Sequence, residues 1–520
     1  MTKKWQQLAQ ALVAQSAPTQ FAREEITRSL AEELGGLVIH PRSFSRMGDD
    51  AALLTAQEGG QRRLITLSMA HHDRPLPRQP LGELHREKVR FDILDVDPTL
   101  LGQLPDVLPW LRARANPGKC AMGLGDRLGI ASPAHVRAVE KSDLFPYLAL
   151  QSPAELASSG RQWSDVMGDS CFGVLREGYR SGFGADADQL TSEAEVEAAA
   201  AAGFVRFTLN LTGEVASVQG LDRQALSHRF VQVEQEVPGA DQWRKRYLGR
   251  GFELSLGFTR QTVMFDERTF LVTMVQYAPV WQRFTELVAH VQSCTRGRPF
   301  EVELALFATD EQTTPEAHLF LALEATERGL PLHGVAPRFV GRFARCVPYK
   351  GSVTKLARNV AMHAAVARLA DNHRIAIHSG SDKFAILGAL AEATDGNFYL
   401  KTSGTSLVEA LRVVASEERE LFAAICEAAL TTLREGSALF DLNIDPGKLP
   451  SPETLDDDEL VGYFLETDHG RHLLCETWAQ TLGANSAFRP RLLALLAHHE
   501  ERHFSYVQEH VEKHVKALLG

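Results

Sequence analysis

Several side chains able to do chemistry stand where short apolar runs end. His378 closes the apolar run 374–378 and precedes a Gly/Ser turn, where an imidazole is well placed to ligate a metal or to transfer protons. Asp186 and Asp188 follow a glycine-rich turn and are spaced by two, so they face the same side of an extended chain. Paired carboxylates bind cations, hold hydroxyl groups or move protons, although an Asx turn is the common structural alternative.

An anion-binding pattern follows the run 398–402. Lys401 ends this run, and Thr402, Ser403, Gly404, Thr405 and Ser406 open a helix. Free N–H groups and hydroxyls at a helix start bind anions with the help of the helix dipole. Thr405 or Ser406 can also be a simple N-cap, and both roles can hold together. Lys401, Thr402 and Ser403 are therefore candidate site residues.

Two earlier runs end in polar residues. Asp126 and Arg127 follow the run 120–125 directly, and helix capping by Ser132 does not explain such a pair, so we favour a functional role. Gln151 follows the run 144–150 and is suited to binding a hydroxyl group. A purely structural helix start accounts for this position equally well.

Metal-ligating residue types follow the run 302–308. Asp310 and Glu311 lie in the next loop, and His318 lies in the next helix. Carboxylate and imidazole groups ligate divalent metals, but a capped loop with a surface histidine is an equally good interpretation. The turn after His378 adds three candidate substrate contacts, which are Ser379, Asp382 and Lys383.

The remaining histidines carry weaker expectations. His363 lies inside a helical pattern and could face either the sheet or the outer layer. Seven others lie on polar stretches and are expected in solvent: His71, His72, His498, His499, His503, His510 and His514.

The elements that position these residues alternate between short apolar runs and helical segments, which predicts a parallel sheet. Eight such units favour a closed (β/α)8 TIM-type barrel, in which chemistry lies at the C-terminal ends of the strands. The candidates above stand at such ends. The eight predicted strands are 120–125, 144–150, 182–188, 204–210, 302–308, 334–339, 374–378 and 398–402.

We predict three regions. Residues 1–115 form an N-terminal α/β lead-in with helices at 5–15 and 21–34 and a strand at 63–68, residues 116–410 form the barrel, and residues 411–520 form a C-terminal helical region. The interval 211–300 is expected to hold the fourth crossover helix and an insertion, with strands at 253–259 and 269–277.

Composition narrows the class of protein. The chain has 520 residues and a net charge of −11, which argues against broad nucleic-acid binding. Its six cysteines form no CxxC pair, which predicts reduced thiols in a cytoplasmic protein without disulfides. An uncharged run of 18 residues is absent from the sequence, so we expect no membrane span. The composition allows a homo-oligomer without requiring one.

Five motifs in one order resemble a known family: GLGDRLGIASPAHVRA, LFPYLALQS, GRQWSDVMGDSCFGVLREGYRSGFGADAD, IAIHSGSDKF and LKTSGTSLVEA. Together they are similar to the tagaturonate epimerases, from about residue 119 to the C-terminus. The resemblance implies a barrel, a divalent metal such as Zn²⁺ or Mn²⁺, and a small keto-sugar acid as substrate. It implies interconversion of tagaturonate and fructuronate, or of the neutral ketoses tagatose and fructose.

The resemblance also implies roles for the candidates. The inverted carbon is β to the ketone, so a retro-aldol cleavage and re-addition suits it better than direct deprotonation. His378, His318 and an acidic residue (Asp310 or Glu311) would bind the metal, which stabilises the enediolate. Asp126 or Asp186 would take the hydroxyl proton. The positive groups Lys401 and Arg127, with the turn 402–406, would hold the carboxylate, and Gln151, Asp188, Ser379, Asp382 and Lys383 would contact the substrate.

One departure from the family pattern bears on this assignment. Where the family carries an Asp-Glu pair about ten residues before the histidine matched by His318, this chain carries Phe307 and Ala308. Either Asp310 and Glu311 replace the pair, or a metal ligand has been lost. Two alternatives therefore stay open beside the epimerase: a sugar-acid aldolase that releases its fragments, and a homologue that binds a sugar acid without turning it over.

Overall fold

The computed structural model describes residues 20–49, 51–76, 78–86, 88–436 and 449–520. The predicted helix 5–15 lies outside these residues. The helix Gln20–Leu34 and the strand Gln61–Met69 form where the sequence predicted them. Within the described ranges, none of the helices combines the length and the apolar character that crossing a bilayer requires.

An antiparallel sheet precedes the barrel. Its strands are β1 (Leu37–Ile39), β2 (Ser45–Met47), β3 (Ala51–Glu58), β4 (Gln61–Met69), β5 (Gly82–Arg86) and β6 (Val89–Asp95). They follow the order β1-β3-β4-β6-β5, with β2 paired to β3. The helix Gln20–Leu34 packs on β1, and Leu30, Leu54 and Ile65 lie fully buried in one cluster of this helix and the sheet.

The predicted barrel is confirmed. Eight parallel strands close into a ring in the order β10-β13-β14-β15-β16-β7-β8-β9. Pairing of β16 with β7 closes it and sets Lys401 beside Gly123. The barrel strands are β7 (Ala121–Leu124), β8 (Phe145–Gln151), β9 (Gly184–Leu190), β10 (Arg206–Asn210), β13 (Glu301–Ala305), β14 (Gly334–Ala336), β15 (Arg374–Ile377) and β16 (Phe398–Thr402).

Helices join these strands and continue to the C-terminus. Around the barrel they are Pro98–Val107, Ser132–Val139, Pro153–Ser159, Trp163–Arg176, Glu193–Ala201, Arg223–Glu236, Trp243–Tyr247, Glu267–Thr295, Pro315–Glu327, Val353–Leu369, Phe384–Ala393 and Thr405–Glu417. Beyond the barrel they are Arg419–Arg434, Asp457–Val461, Asp468–Glu476, Trp478–Thr481, Arg489–His498 and Glu500–Leu519.

The interval between β10 and β13 differs from the prediction in one element. A hairpin forms from β11 (Gly251–Leu256) and β12 (Thr259–Met264), near the strand expected at 253–259. The strand expected at 269–277 is wrong, because those residues belong to the helix Glu267–Thr295. Asp266 caps this helix by accepting a hydrogen bond from the Thr269 N–H at 2.8 Å. Its buried apolar residues recur at helical spacing.

The barrel interior combines small and large side chains. Tyr147 and Tyr399 lie inside with ring centroids 4.7 Å apart, and alanines from other strands fill the space around them. Gly184 leaves room for Tyr147, because a Cβ at this position would lie 2.3 Å from the tyrosine ring. A glycine here is therefore required by the close approach of two strands.

A disulfide joins the loop after β14 to the C-terminal helices, so the prediction that all six cysteines are free thiols is wrong. Cys346 pairs with Cys475, across 129 residues of sequence. Both sulfur atoms pack over Gly404, where a Cβ would lie 2.2 Å from the Cys346 sulfur. No spacing pattern predicts this pair, because it arises from tertiary packing between distant parts of the chain.

Helices Pro315–Glu327 and Val353–Leu369 pack against each other through a chain of buried histidines. Nδ1 of His373 faces the Ala370 carbonyl, which only accepts, so Nδ1 carries the proton. His373 Nε2 must then accept from His318 Nε2–H at 2.7 Å, and His318 Nδ1 accepts from His363 Nδ1–H at 3.0 Å. His373 and His318 each keep one accepting nitrogen and are therefore neutral, and burial, which lowers the pKa of His363 to about 4, keeps that ring neutral as well. His363 faces the helix layer, which settles the orientation that the sequence left open.

Three C-terminal histidines expected in solvent are instead buried. His503, His510 and His514 lie on the face of helix Glu500–Leu519 that packs on the helices Ser132–Val139 and Thr405–Glu417. His510 and His514 bond to Asp382 of the barrel, whereas the ring nitrogens of His503 make no hydrogen bond to the described residues. His71, His72 and His498 are exposed, and His499 is partly exposed.

Thiol titration tests the disulfide. Under denaturing conditions without reductant, four thiols per chain should react with Ellman's reagent, since Cys120, Cys171, Cys294 and Cys426 are free. Prior reduction should raise the count to the six cysteines of the sequence. Six reactive thiols in protein purified without reductant would contradict the pairing, and the variant Cys346→Ser serves as a control in which Cys475 becomes reactive.

The buried histidines predict a loss of stability in acid. Burial lowers the pKa of His363, His373 and His514 to about 4, so they stay neutral when folded while the unfolded chain binds protons below about pH 6.5. Because the unfolded state holds more protons between pH 6.5 and 4, the free energy of unfolding should fall by ~1.4 kcal/mol per pH unit for each such histidine. The same direction applies to His40, His135, His318 and His503.

Melting temperatures measured from pH 7.5 to 4.5 test this expectation. We expect a steep decline below pH 6.5, with a smaller slope in His514→Gln, because an amide accepts the Asp382 N–H without titrating. His510 acts in the opposite sense: burial lowers its pKa, but hydrogen bonds to Asp382 and Glu409 outweigh burial and raise it. A melting temperature that stays constant down to pH 5 would refute the argument.

Candidate functional site

A buried charged cluster lies at the C-terminal end of the barrel, around Lys401. Its ammonium group lies 2.9 Å from Asp186, 2.8 Å from Asp188, 3.1 Å from Glu303 and 2.7 Å from the Thr208 hydroxyl. Burial alone would lower the pKa of Lys401, but these carboxylates outweigh it and raise that pKa. Lys401 is therefore a fixed positive charge, with partners from strands β9, β10 and β13.

Asp186 and Asp188 face the same side of β9, as their spacing predicted. Asp186 is fully buried and accepts hydrogen bonds from Thr208 at 2.9 Å and from Tyr399 at 2.8 Å. Burial raises the pKa of Asp186 in spite of the opposing charge of Lys401. Asp188 is 12% exposed and lines a cavity at the mouth of the barrel, the end where the strands have their C-termini, so it is the member of the pair that a ligand can reach.

Two members of the cluster, Glu303 and Arg206, are not among the residues predicted from the sequence. Glu303 accepts from Arg206 at 2.6 Å and lies fully buried within β13. Burial would raise the pKa of Glu303, but the charges of Lys401 and Arg206 hold it well below its usual range. Glu301 and Glu303 alternate with apolar residues in a short strand, and this period of two could have identified both as facing the interior.

His378 lies at the mouth beside this cluster. Its Nε2–H donates to Glu303 at 2.8 Å, which fixes the tautomer and leaves Nδ1 without a hydrogen-bond partner among the described residues. Phe307 stacks on one face of the imidazole, with ring centroids 4.0 Å apart. The aromatic side chain at the position of the family's acidic pair therefore packs on the histidine, and Ala308 is exposed.

Two adjacent cavities open at the mouth. The inner one, of about 200 Å³, is lined by Asp188, Lys401 and Ser403, and the outer one, of about 410 Å³, by Asp310 and Arg338. Five residues line both cavities, so the two form one continuous recess: Phe307, Arg345, His378, Ser379 and Glu476. A larger cleft of about 1110 Å³ lies between the N-terminal sheet and the C-terminal helices, away from these residues.

Asp126 and Arg127 lie behind the mouth rather than in it. Asp126 accepts hydrogen bonds from the backbone N–H groups of Leu128, Gly129 and Ala131 and so holds its own loop. Burial would raise the pKa of Asp126, but the Arg161 charge and these bonds lower it. Arg127 is buried, donates to Glu155 at 3.1 Å and to the Cys475 carbonyl, and stacks on Trp478.

The other predicted contacts divide into lining and structural residues. Ser379 and Ser403 line the recess. Thr402 donates to the Gly123 carbonyl at 2.8 Å and thereby holds β16 to β7. Gln151 is buried and lines neither cavity, and its amide group makes no hydrogen bond to the described residues.

Asp382 and Lys383 anchor the turn after β15. Asp382 accepts from His510 at 2.6 Å and lies 3.0 Å from Arg471, while Ser379 and Asp382 both have positive φ. Lys383 donates to the carbonyls of Ala344 and Ser381, and burial lowers its pKa to about 7. Both residues hold the turn that carries Ser379.

The predicted metal ligands do not converge. Asp310 and Glu311 are exposed in the loop after β13, whereas His318 is fully buried among histidines of the helix layer and His378 lies at the mouth. Their donor atoms therefore do not fit a common ion in this arrangement.

One other group has metal-binding residue types. Among the residues described, Asp382, His510 and His514 bring three ligand atoms within 4.8 Å of one another. Those atoms are already engaged: His514 Nε2 accepts the Asp382 N–H, and His510 Nε2 donates to Asp382, which also faces Arg471. The group is better described as an ion-pair network between the barrel and the last helix.

Comparisons with known proteins agree with this architecture. A family model described as tagaturonate epimerase matches residues 40–518. A tagaturonate/fructuronate epimerase of Thermotoga maritima is 31% identical over 490 residues, covering 93% of this chain and 98% of that protein.

Solved structures give the same result. The native crystal structure of fructuronate-tagaturonate epimerase from Cohnella laeviribosi superimposes with a TM-score of 0.84 at 26% identity, covering 95% of this chain and 99% of that one. A complex of the same enzyme with two glycerol molecules gives a TM-score of 0.83 at 26% identity, with the same coverage. The chain belongs to the tagaturonate epimerase family.

Proposed function

We propose that the protein is an isomerase that interconverts D-tagaturonate and D-fructuronate. The observation that carries the proposal is the pairing of His378 with Glu303 beside Lys401, in a recess at the mouth of the barrel. Membership of the tagaturonate epimerase family supports the same reaction. The related neutral ketoses tagatose and fructose form the alternative substrate class.

The substrate dictates the type of chemistry. The carbon that inverts is β to the ketone, so its C–H bond is not acidified by the carbonyl group. Removal of the proton from the β-hydroxyl lets the Cα–Cβ bond break, and its electron pair passes to the ketone to form an enediolate. The aldehyde fragment rotates, the bond forms again from the opposite face, and the proton returns to the new alkoxide.

Two residues suit these steps. His378 is the proton acceptor, because Glu303 holds its Nε2–H and its Nδ1 is the free basic atom. Lys401 lies at the wall of the inner cavity, where its positive charge holds Asp188 and Glu303 in place beside His378. Asp186, named from the sequence as a base, is fully buried and acts by holding Lys401.

A divalent ion is the cofactor that the family resemblance implied, and bound to the ketone oxygen it would supply Lewis-acid stabilisation. The four residues predicted to bind it, His378, His318, Asp310 and Glu311, lie apart. The proton transfers and the bond cleavage proposed for His378 therefore do not depend on an ion held by that set.

Incubation of the purified protein with tagaturonate, followed by NMR, tests the activity. We expect fructuronate to appear and to reach equilibrium with tagaturonate, with no accumulation of three-carbon fragments. Accumulation of three-carbon fragments would identify an aldolase. If tagaturonate is not converted even with added Mn²⁺ or Zn²⁺, the proposed epimerase activity would be refuted. A parallel sample with EDTA shows whether turnover needs a divalent ion. Loss of activity in this sample would mean that an ion binds through ligands other than the predicted four.

The substitution Glu303→Gln tests the pairing with His378. The amide removes the negative charge that fixes the imidazole tautomer, so kcat should fall about 100-fold, the upper range for losing a partner that orients a functional histidine. The measurement is kcat with tagaturonate, together with the melting temperature.

Glu301→Gln is the matched control. Glu301 lies on the same strand and is buried, but it bonds to Tyr147 and Arg374 instead of His378. It should lower the melting temperature as much as Glu303→Gln does, with less than a tenfold change in kcat. If Glu303→Gln and Glu301→Gln lose kcat equally, the role of Glu303 is purely structural.

A further inference from the structure

The loop after β14 carries an arginine to the junction of the two mouth cavities. Arg345 lines both the inner and the outer cavity, and its side chain is 46% exposed. Its one ion pair with a described residue is a contact of 3.4 Å with Glu476, which is long for a guanidinium–carboxylate pair. The guanidinium is therefore available to a ligand that enters the recess.

The sequence named two cations, Lys401 and Arg127, to hold the carboxylate, and neither suits this role in the structure. Lys401 is surrounded by three carboxylates and a hydroxyl, and all three of its hydrogens have acceptors. Binding a further carboxylate through Lys401 would break a buried ion pair, which is costly. Arg127 is fully buried, is bound to Glu155 and to the Cys475 carbonyl, and lines neither cavity. Neither is suited to hold the far end of a sugar acid.

The backbone of Arg345 is fixed although its side chain is open. Its carbonyl accepts a hydrogen bond from His472 Nδ1 at 3.0 Å, and the next residue, Cys346, is held by the disulfide to Cys475. Arg471 donates to the Cys346 carbonyl at 3.2 Å. The loop thus presents the guanidinium from a rigid base, which reduces the conformational entropy lost when a ligand binds.

We propose that Arg345 binds the substrate's carboxylate and thereby selects keto-uronates over neutral ketoses. A guanidinium matches a carboxylate by two parallel hydrogen bonds, whereas a primary hydroxyl offers no charge to pair with. With the reacting carbons beside His378 and Lys401, the carboxylate end of the chain points outward to Arg345, and Glu476 gives up its weak contact. This inference rests on the proposed function, because it assigns the carboxylate of that same substrate.

The substitution Arg345→Gln tests the assignment. For tagaturonate, kcat/KM should fall roughly 10- to 100-fold, mainly through KM, as expected for losing a charged hydrogen-bonded pair at a partly exposed site. For tagatose, which carries a hydroxymethyl group in place of the carboxylate, kcat/KM should change less than threefold. Arg342→Gln, in the same loop but lining neither cavity, should leave both values and the melting temperature unchanged.

Calorimetric binding of tagaturonate to the wild type and to Arg345→Gln separates this inference from the proposed function. The role of Arg345 would be overturned, and the epimerase kept, if the wild type turns over tagaturonate and Arg345→Gln has the same kcat/KM. The same conclusion would follow if the variant lost kcat/KM equally for tagaturonate and tagatose. Binding without turnover in the wild type, lost in Arg345→Gln, would overturn the epimerase and keep the carboxylate contact. A wild-type protein that neither binds nor converts tagaturonate would overturn both.

Discussion

The rest of the structure depends on the ion cluster around Lys401. Taking an ammonium and three carboxylates out of water carries a large desolvation penalty, which is offset only if every charge keeps its partners. Here the partners come from separate strands: Asp186 and Asp188 from β9, Glu303 from β13 and Lys401 from β16. A shift of any of these strands by one residue would leave a charge buried alone. The cluster therefore fixes the register of the barrel and the position of the site at once.

At the mouth of the barrel, the strands carry the buried charged groups and the loops carry the groups that face solvent. The groups that must not move, Lys401 and Glu303, stand on strands and are almost completely buried. The groups that face solvent stand on loops that the C-terminal helices hold in place, by the disulfide to Cys475 and by the ion pairs of Asp382. These helices contribute Glu476 and His472 to the recess. The C-terminal region thus supports the site as well as the fold.

The sequence predicted the barrel because the pattern that indicates it is local: apolar runs, turns and helical segments alternate within short stretches of the chain. It identified His378 and Lys401 because they end strands beside glycine and serine. It missed Glu303 and Arg206, because both lie within strands and not at the strand ends where a barrel places its chemistry. It also placed His510 and His514 in solvent, because only the packed barrel shows that this face of the last helix is covered. The divisions near residues 115 and 410 stay predictions.

The stacking of Phe307 on His378 explains how the site tolerates the absence of an acidic pair at this point of the chain. An aromatic ring over one face of an imidazole leaves both nitrogen edges open, whereas a carboxylate at that position would compete with Glu303 for an N–H. With Nε2–H held by Glu303, the only basic atom left on the ring is Nδ1. Phe307 thus fixes the orientation of the imidazole and Glu303 fixes its tautomer, which suits a residue that takes a proton and returns it to the same substrate oxygen.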